Sequence, residues 1–237
     1  MISCQPVHRT GQVRFVRGCS MIATATPSGL HDFVFGVVAS ALPVRGRALD
    51  LGAGPGAMGE RLHSLGFDVL SVDRDSAAYQ GQQAFLIQDL NEPHFADAIG
   101  QNSFDLIVAI EVIEHVESPI NFLRNIAKLL APGGCAVVTT PNVDSLPARL
   151  RFLFGGKIRM MDQHSDPTHI SPIFMDLLCR QFLPQAGLQM ADHKVFPPNG
   201  YQLTRKPLAF PLALLASALP GDSVIGDNHI FVLEGVR

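Results

Sequence analysis

From about residue 44 to residue 141, short apolar runs alternate with amphipathic stretches, and this alternation predicts an order of elements before any chemistry is considered. Upstream of it, residues 28 to 42 (SGLHDFVFGVVASAL) read as a helix capped by Ser28 and stopped by Pro43, after an irregular stretch over residues 1 to 26. Arg47–Leu51 reads as a first strand, followed by a glycine-rich turn and a helix over Met58–Leu65. Further strands are predicted at Asp68–Val72, Ala84–Gln88, Phe104–Ile110 and Cys135–Thr140. A helix over Pro119–Leu130 has proline in its first turn and Gly133-Gly134 as its stop. Runs such as DLIVAI and AVVTT are continuously apolar, as strands covered on both faces must be. Strands alternating with helices build right-handed βαβ units, so the fold expected is α/β, a doubly wound, seven-stranded mixed sheet.

Past Pro141 the pattern loosens. A helix is predicted near Leu146–Phe154, another over Ile173–Leu183, and closing strands at Gln189–Phe196 and His229–Leu233, the last one antiparallel. Residues 1–43 thus read as an extension with a helix, and 44–237 as one domain with inserts at 142–172 and 197–227.

Composition narrows the class. At 47% hydrophobic and without low-complexity tracts, the chain reads as a packed globule. Cys4, Cys19, Cys135 and Cys179 are isolated and form no C-x-x-C pair, which argues against a disulfide scaffold or a zinc knuckle. A net charge of −3 gives no electrostatic case for nucleic acid. The first residues lack an apolar core of the kind an export signal needs, so a cytoplasmic location is expected. Charged residues make up 16% of the chain against roughly 25% in ordinary soluble domains, a deficit that points to a surface meeting a partner, a lipid or a greasy substrate. The most apolar run, Pro207 to Pro220, is too short to span a bilayer and is interrupted by Pro211. It reads either as a helix buried on the sheet or as a lid or interfacial patch, the latter giving peripheral membrane contact. Arg149, Arg151, Lys157 and Arg159 form a small basic group interleaved with Leu and Phe, as a solvated helix face or a contact for an anionic acceptor or headgroup.

The chemistry concentrates in ALDLGAGPGAMGERL, residues 48 to 62. Gly52, Gly54, Gly56 and Gly59 fall where a strand switches to a helix, letting backbone turn sharply and approach a ligand at a helix N-terminus. Asp73, at the end of the second strand, lies 17 residues after Gly56, where a carboxylate accepts hydrogen bonds from ribose hydroxyls. These features alone suit a nicotinamide-dependent oxidoreductase. Asp50, inside the first strand, adds negative charge beside the loop and suits a cationic ammonium better than a pyrophosphate. Asp89 closes the third strand where an adenine amino group could donate, and the fourth strand ends in Glu111-Val112-Ile113-Glu114-His115-Val116.

In order, LDLGAGPG, SVDRD, QDL, FDLIVAIEVIEHV and LLAPGGCAVVTTPN resemble the motifs of class I S-adenosylmethionine-dependent methyltransferases, closest to the small-molecule branch that includes the ubiquinone-biosynthesis O-methyltransferases. The resemblance covers residues 44 to 142. It implies a Rossmann-like methyltransferase fold and S-adenosyl-L-methionine as cofactor. It also implies Asp50 near the methionine ammonium, Gly52, Gly54 and Gly56 beneath the cofactor, and Asp73 on the ribose. Arg74 would flank the adenine, Asp89 would take its amino group, Leu90 would pack on the ring, and Ile110 and Glu111 would close the methionine end. Pro55 departs from the small polar residue common there, and stiffens the loop. The reaction implied is methyl transfer to an oxygen of a small-molecule acceptor, which the lid or patch reading of Pro207 to Pro220 makes amphipathic. The two rivals are the oxidoreductase and a non-catalytic cofactor-binding partner protein. A hydroxyl acceptor has to lose a proton, for which His169, in a turn before a helix, and His115, after the strand tip, are the candidate bases. Glu114 reads as a local partner charge. Asp162, His164, Asp166 and His169 lack the fixed spacing of a metal site, so a loop over the site is expected there and no metal.

Overall fold

A computed structural model describes residues 28–41, 46–162, 166–219 and 224–236. The irregular stretch at 1–26, the Pro43 stop, Cys4, Cys19, His164 and Pro220 lie outside them. The strands are β1 (Arg47–Leu51), β2 (Asp68–Asp73), β3 (Ala84–Ile87), β4 (Phe104–Ala109), β5 (Leu130–Pro141), β6 (Leu188–Phe196) and β7 (Asn228–Gly235). They lie in the order β3-β2-β1-β4-β5-β7-β6, all parallel except β7, which runs antiparallel to both neighbours. The seven-stranded mixed sheet expected from the sequence is the sheet that forms.

The period of two along each strand divides the core. Leu49 and Leu51 of β1, Ile107 and Ala109 of β4, and Ala136 and Val138 of β5 face one layer of helices. That layer is α3 (Phe95–Ile99), α4 (Pro119–Leu129) and α7 (Leu183–Ala186). The intervening Ala48, Leu106, Val108 and Val137 face α1 (Leu30–Ala41) and α2 (Ala57–Ser64). The remaining helices, α5 (Leu146–Gly155), α6 (Met175–Leu177) and α8 (Lys206–Ser217), belong to the region after β5.

Four expectations change. The first backbone bond of α1 runs from Phe33 to the Gly29 carbonyl, one residue past the predicted Ser28 cap. Gly133-Gly134 does not stop α4, which ends at Leu129; both glycines lie inside β5. A Cβ on Gly134 would sit 2.7 Å from the Phe104 carbonyl oxygen, so the glycine serves a close strand approach. The single helix predicted over Ile173–Leu183 is instead α6, a π-helical turn at Leu178–Phe182, and α7. Pro184 has no N–H to offer the Arg180 carbonyl, and the helix widens in the turn before it. The reading of 207–220 as a buried helix fails, because in α8 only Ala216 is buried.

α3 has five residues, too few for a periodic signal, and is pinned by one buried side chain. Asn125 of α4 accepts from the Ala96 N–H (3.1 Å) and donates to the carbonyls of Pro93 (3.1 Å) and Asn121 (2.9 Å). Asn125→Ala strands the buried Ala96 N–H and is expected to cost about 1–3 kcal/mol in urea unfolding, with the midpoint lowered and the slope unchanged.

Candidate functional site

The strand order reverses between β1 and β4, and the loops leaving the carboxyl ends of β1 to β4 meet over that gap, where open α/β sheets bind ligands. After β1 the chain turns through Gly52 (φ +71°), Gly54 (φ +50°) and Gly56 (φ +95°). A Cβ on Gly52 would come within 2.5 Å of Val112 Cγ2, whereas one on Gly54 would meet nothing within 4 Å. Bare backbone at Gly54 therefore borders open space. Its N–H donates to Asp73 Oδ2 at 2.9 Å, tying the loop to the end of β2.

Beside this loop lies a cavity of about 290 Å³ lined by Gly52, Asp73, Arg74, Gln88, Asp89, Leu90, Asn91, Glu111, Val112, His115, Val116 and Thr168. Three carboxylates against one guanidinium make the lining acidic. Such a lining suits a positively charged ligand and disfavours a pyrophosphate. Asp73 and Asp89 retain lone pairs beyond those used by Gly54, Asp75 and Asn91, as recognition of hydroxyl and amino donors requires.

Glu111 closes the end of β4 at a left-handed φ of 55°, a costly conformation for a residue with a side chain. Its own contacts hold it there. Its N–H donates to Thr139 Oγ1 (2.9 Å), the same hydroxyl donates to Glu111 Oε1 (2.8 Å), and Asn228 Nδ2 donates to Oε2 (2.7 Å). Burial raises the Glu111 carboxyl above the usual carboxylate range, against those hydrogen bonds. Burial also raises Glu114, with the Glu111 charge adding to it. The Glu114 oxygens make no well-formed hydrogen bond among the described residues, and the Thr140 hydroxyl beside them gives slight relief.

A loop from the distant 142–172 insert docks onto this strand tip. Ile170 and Ser171 donate their N–H groups to the Glu114 carbonyl at 2.9 Å each, and Ser171 Oγ donates to the Val116 carbonyl at 2.7 Å. Thr168 Oγ1 donates to Asp166 Oδ1 (2.5 Å), so it accepts from His115 Nδ1 at 2.8 Å. His169 Nδ1 faces the Met160 carbonyl at 2.6 Å and must donate to it. Both imidazoles thus carry hydrogen on Nδ1 and turn Nε2 away from these bonds, with ring centroids 4.6 Å apart. Burial and the neighbouring His169 lower the His115 pKa, so His115 is neutral at physiological pH. Glu114, His115 and His169 offer three ligand atoms within 4.8 Å of one another and could hold a divalent cation. The 162–169 run alone gave no such geometry. Folding takes His169 out of that run and joins it to the strand tip.

Of the residues singled out from the sequence, Gly52, Asp73, Arg74, Asp89, Leu90, Glu111 and His115 line the cavity, while Gly54 and Gly56 shape the loop beside it. His169 lies in the adjoining cavity with Lys157, Ile158 and Pro172. Ile110 is packed in the core on the α1/α2 side. Asp50 is also absent from the lining. Alternation along β1 turns it toward α2, where Oδ2 accepts from the Gly59 N–H at 2.9 Å. Thr139, Asn228 and Thr168 carry no local motif. Asn228 reaches Glu111 across 117 residues, a contact only the sheet order creates.

A model of the methyltransferase domain family matches residues 29–193. A ubiquinone biosynthesis O-methyltransferase of Caulobacter sp. (strain K31) is 39% identical over 105 residues, 40% of this chain and 41% of that protein. One from Ruegeria pomeroyi is 31% identical over 169 residues, 66% of each. The matched stretch thus spans about two fifths of the first of these relatives. In fold, a SAM-dependent methyltransferase from Archaeoglobus fulgidus superposes with a TM-score of 0.61 at 16% identity, over 86% of this chain and 93% of that one. Haemonchus contortus phosphoethanolamine N-methyltransferase 2, in complex with S-adenosyl-L-methionine, gives 0.60 at 14% identity, over 90% and 54%.

Burial raises the Asp50 pKa from 3.8 to about 7, with the Asp73 charge adding to it and the Gly59 N–H opposing it. Because the folded pKa lies above the unfolded one, this group's contribution to stability is present below about pH 4 and is lost as pH rises toward 7. Asp50→Asn keeps an acceptor for Gly59 and removes the titration. In urea melts its stability should gain on the parent between about pH 5 and about pH 8, by at most about 3 kcal/mol.

Proposed function

The chain belongs to the S-adenosylmethionine-dependent methyltransferase domain family, and from that premise we propose that it transfers the cofactor's methyl group to an oxygen of a small-molecule acceptor. The observation that carries this reading is the acidic cavity above Gly52 and Gly54, with a neutral imidazole at its rim. When bound, the cofactor supplies a methyl group already activated on a sulfonium, so the protein's work is alignment and exclusion of water. Asp73 would hold ribose hydroxyls, Asp89 the adenine amino group, and Leu90 with Arg74 the ring. Glu111 would face the cationic end, its charged form favoured there by the ligand's own charge.

Oxygen as the acceptor atom is supported by the strand-tip cluster and by the relatives named O-methyltransferases. His115 lines the cavity and presents Nε2 as a lone pair, so it would accept the hydroxyl proton, with Thr168 and Asp166 fixing its tautomer. His169 would steady the acceptor side from the adjoining cavity. A second reading is favoured by the Glu114, His115 and His169 triangle: a divalent cation there would bind the acceptor oxygen and lower its pKa. A chelator that abolishes turnover selects the second reading; unchanged turnover selects the first.

Asp73→Ala should weaken S-adenosylhomocysteine binding about 10- to 100-fold by calorimetry, with Asp73→Asn falling less because it still accepts from Gly54. NAD should not bind, and NAD binding in place of S-adenosylhomocysteine overturns the reading. In a screen of hydroxylated acceptors with a labelled methyl donor, His115→Ala should lose about 10²- to 10⁴-fold in kcat with cofactor affinity intact. Parent turnover should rise with pH along a limb whose midpoint lies below that of an ordinary histidine, because burial lowers the His115 pKa. If no hydroxylated compound accepts a methyl group while an amine or a carbon acid does, the acceptor atom is not oxygen.

A further inference from the structure

Among the described residues, seven of the thirteen exposed large hydrophobic side chains lie on two helices, α5 and α8. The end of α5 exposes three in a row, Phe152, Leu153 and Phe154, the last at 83%. α8 exposes Leu208, Phe210, Leu214 and Leu215, with Phe210 at 76%. The two helices pack on each other through a small satellite core formed by Leu146 and Leu150 of α5 with Leu212, Ala213 and Ala216 of α8. Their outward faces therefore adjoin, giving an apolar surface on the side of the sheet where the loops of the site lie. Isolated exposed apolar residues are ordinary; a patch of this kind marks an interaction surface.

Charge identifies the occupant. Residues 145–160 and 203–219 hold six of the chain's 18 Lys and Arg and none of its 21 Asp and Glu, in a protein of net charge −3. Arg159 is buried against Asp227 (2.8 Å), and Arg151 pairs with Asp162. Arg149, Lys157, Arg205 and Lys206 remain exposed around the apolar side chains. Exposed Phe and Leu rimmed by cations, on helices too short to span, is the composition of an element lying in the headgroup region of an anionic bilayer. A protein partner with an acidic groove would also meet the cations, but offers less to seven large apolar side chains at once.

We propose that the paired faces of α5 and α8 dock this protein onto an anionic lipid surface. The Arg159–Asp227 ion pair links the patch to the site. Arg159 follows α5, while Asp227 accepts from the N–H groups of Gln202 and Leu203 just before α8, at 3.0 Å for Leu203. The loop after Arg159 continues to Thr168 and His169, so docking brings the acceptor side to the membrane surface. That the acceptor is then drawn from the bilayer rests on the methyl-transfer reading; the docking itself does not.

The test is co-sedimentation of the full chain with phosphatidylcholine vesicles, with and without phosphatidylglycerol. The parent should bind only the anionic vesicles and release as salt is raised. Phe154→Ser/Phe210→Ser should lose binding by at least about tenfold, and Lys157→Glu and Lys206→Glu by about fivefold or more each. S-adenosylhomocysteine titration of each variant verifies its fold, and, because vesicle binding needs no acceptor, a failed methyl-transfer screen leaves this result standing. Absent or equal binding to both vesicle types overturns the proposal, as do patch variants that bind like the parent. A parent that sediments as a dimer broken by the Phe154/Phe210 variant, without binding vesicles, assigns the face to a second copy and overturns it too.

Discussion

Asp50 and Glu114 are buried and Glu111 is half-buried at and just beyond the carboxyl ends of β1 and β4, and the geometry of the site follows from how each is accommodated. Charge in a low-dielectric interior is expensive unless it is neutralised, hydrogen-bonded or met by a cation. Asp50 takes the Gly59 N–H, and so fixes the start of α2 under the glycine loop. Glu111 takes a hydroxyl from β5 and an amide from β7, so its strained backbone is held by three strands at once. Glu114 receives little, and its carboxyl group lies where ring nitrogens of His115 and His169 also converge.

In the proposed reading, the region that would choose the acceptor is built differently from the region that would hold the cofactor. The glycine-loop side is made of strand ends and tight turns with short-range bonds, such as Gly54 to Asp73 and Asn91 to Asp89. The opposite side is a long excursion after β5 anchored at a few points, chiefly the Glu114 carbonyl, the Val116 carbonyl and the Arg159–Asp227 ion pair. Rigid strand ends suit a ligand that every turnover shares, whereas anchored loops let the acceptor pocket differ while the sheet stays the same.

The same excursion carries α5 and α8, whose apolar residues find only a four-residue satellite core. The main core on both sheet faces is already filled by α1 to α4 and α7, so these two helices leave their remaining Phe and Leu outward.

The sequence by itself determined the sheet and the glycine-rich loop after β1. Apolar strand runs, the glycines between β1 and α2, and Asp73 and Asp89 at strand ends are local signals, because a strand's burial and a turn's φ are decided within a few residues. It also marked Pro207 to Pro220 as unusual without saying which way the helix would face. Only the tertiary structure decided that Asp50 turns under α2, since the side of a strand that meets the ligand depends on which helices cover it. Only the tertiary structure brought His169 to His115 and Asn228 to Glu111, and left α8 exposed. Those are contacts between segments 54 to 117 residues apart, or competitions for core volume, and no pattern within one segment encodes its partner across a sheet.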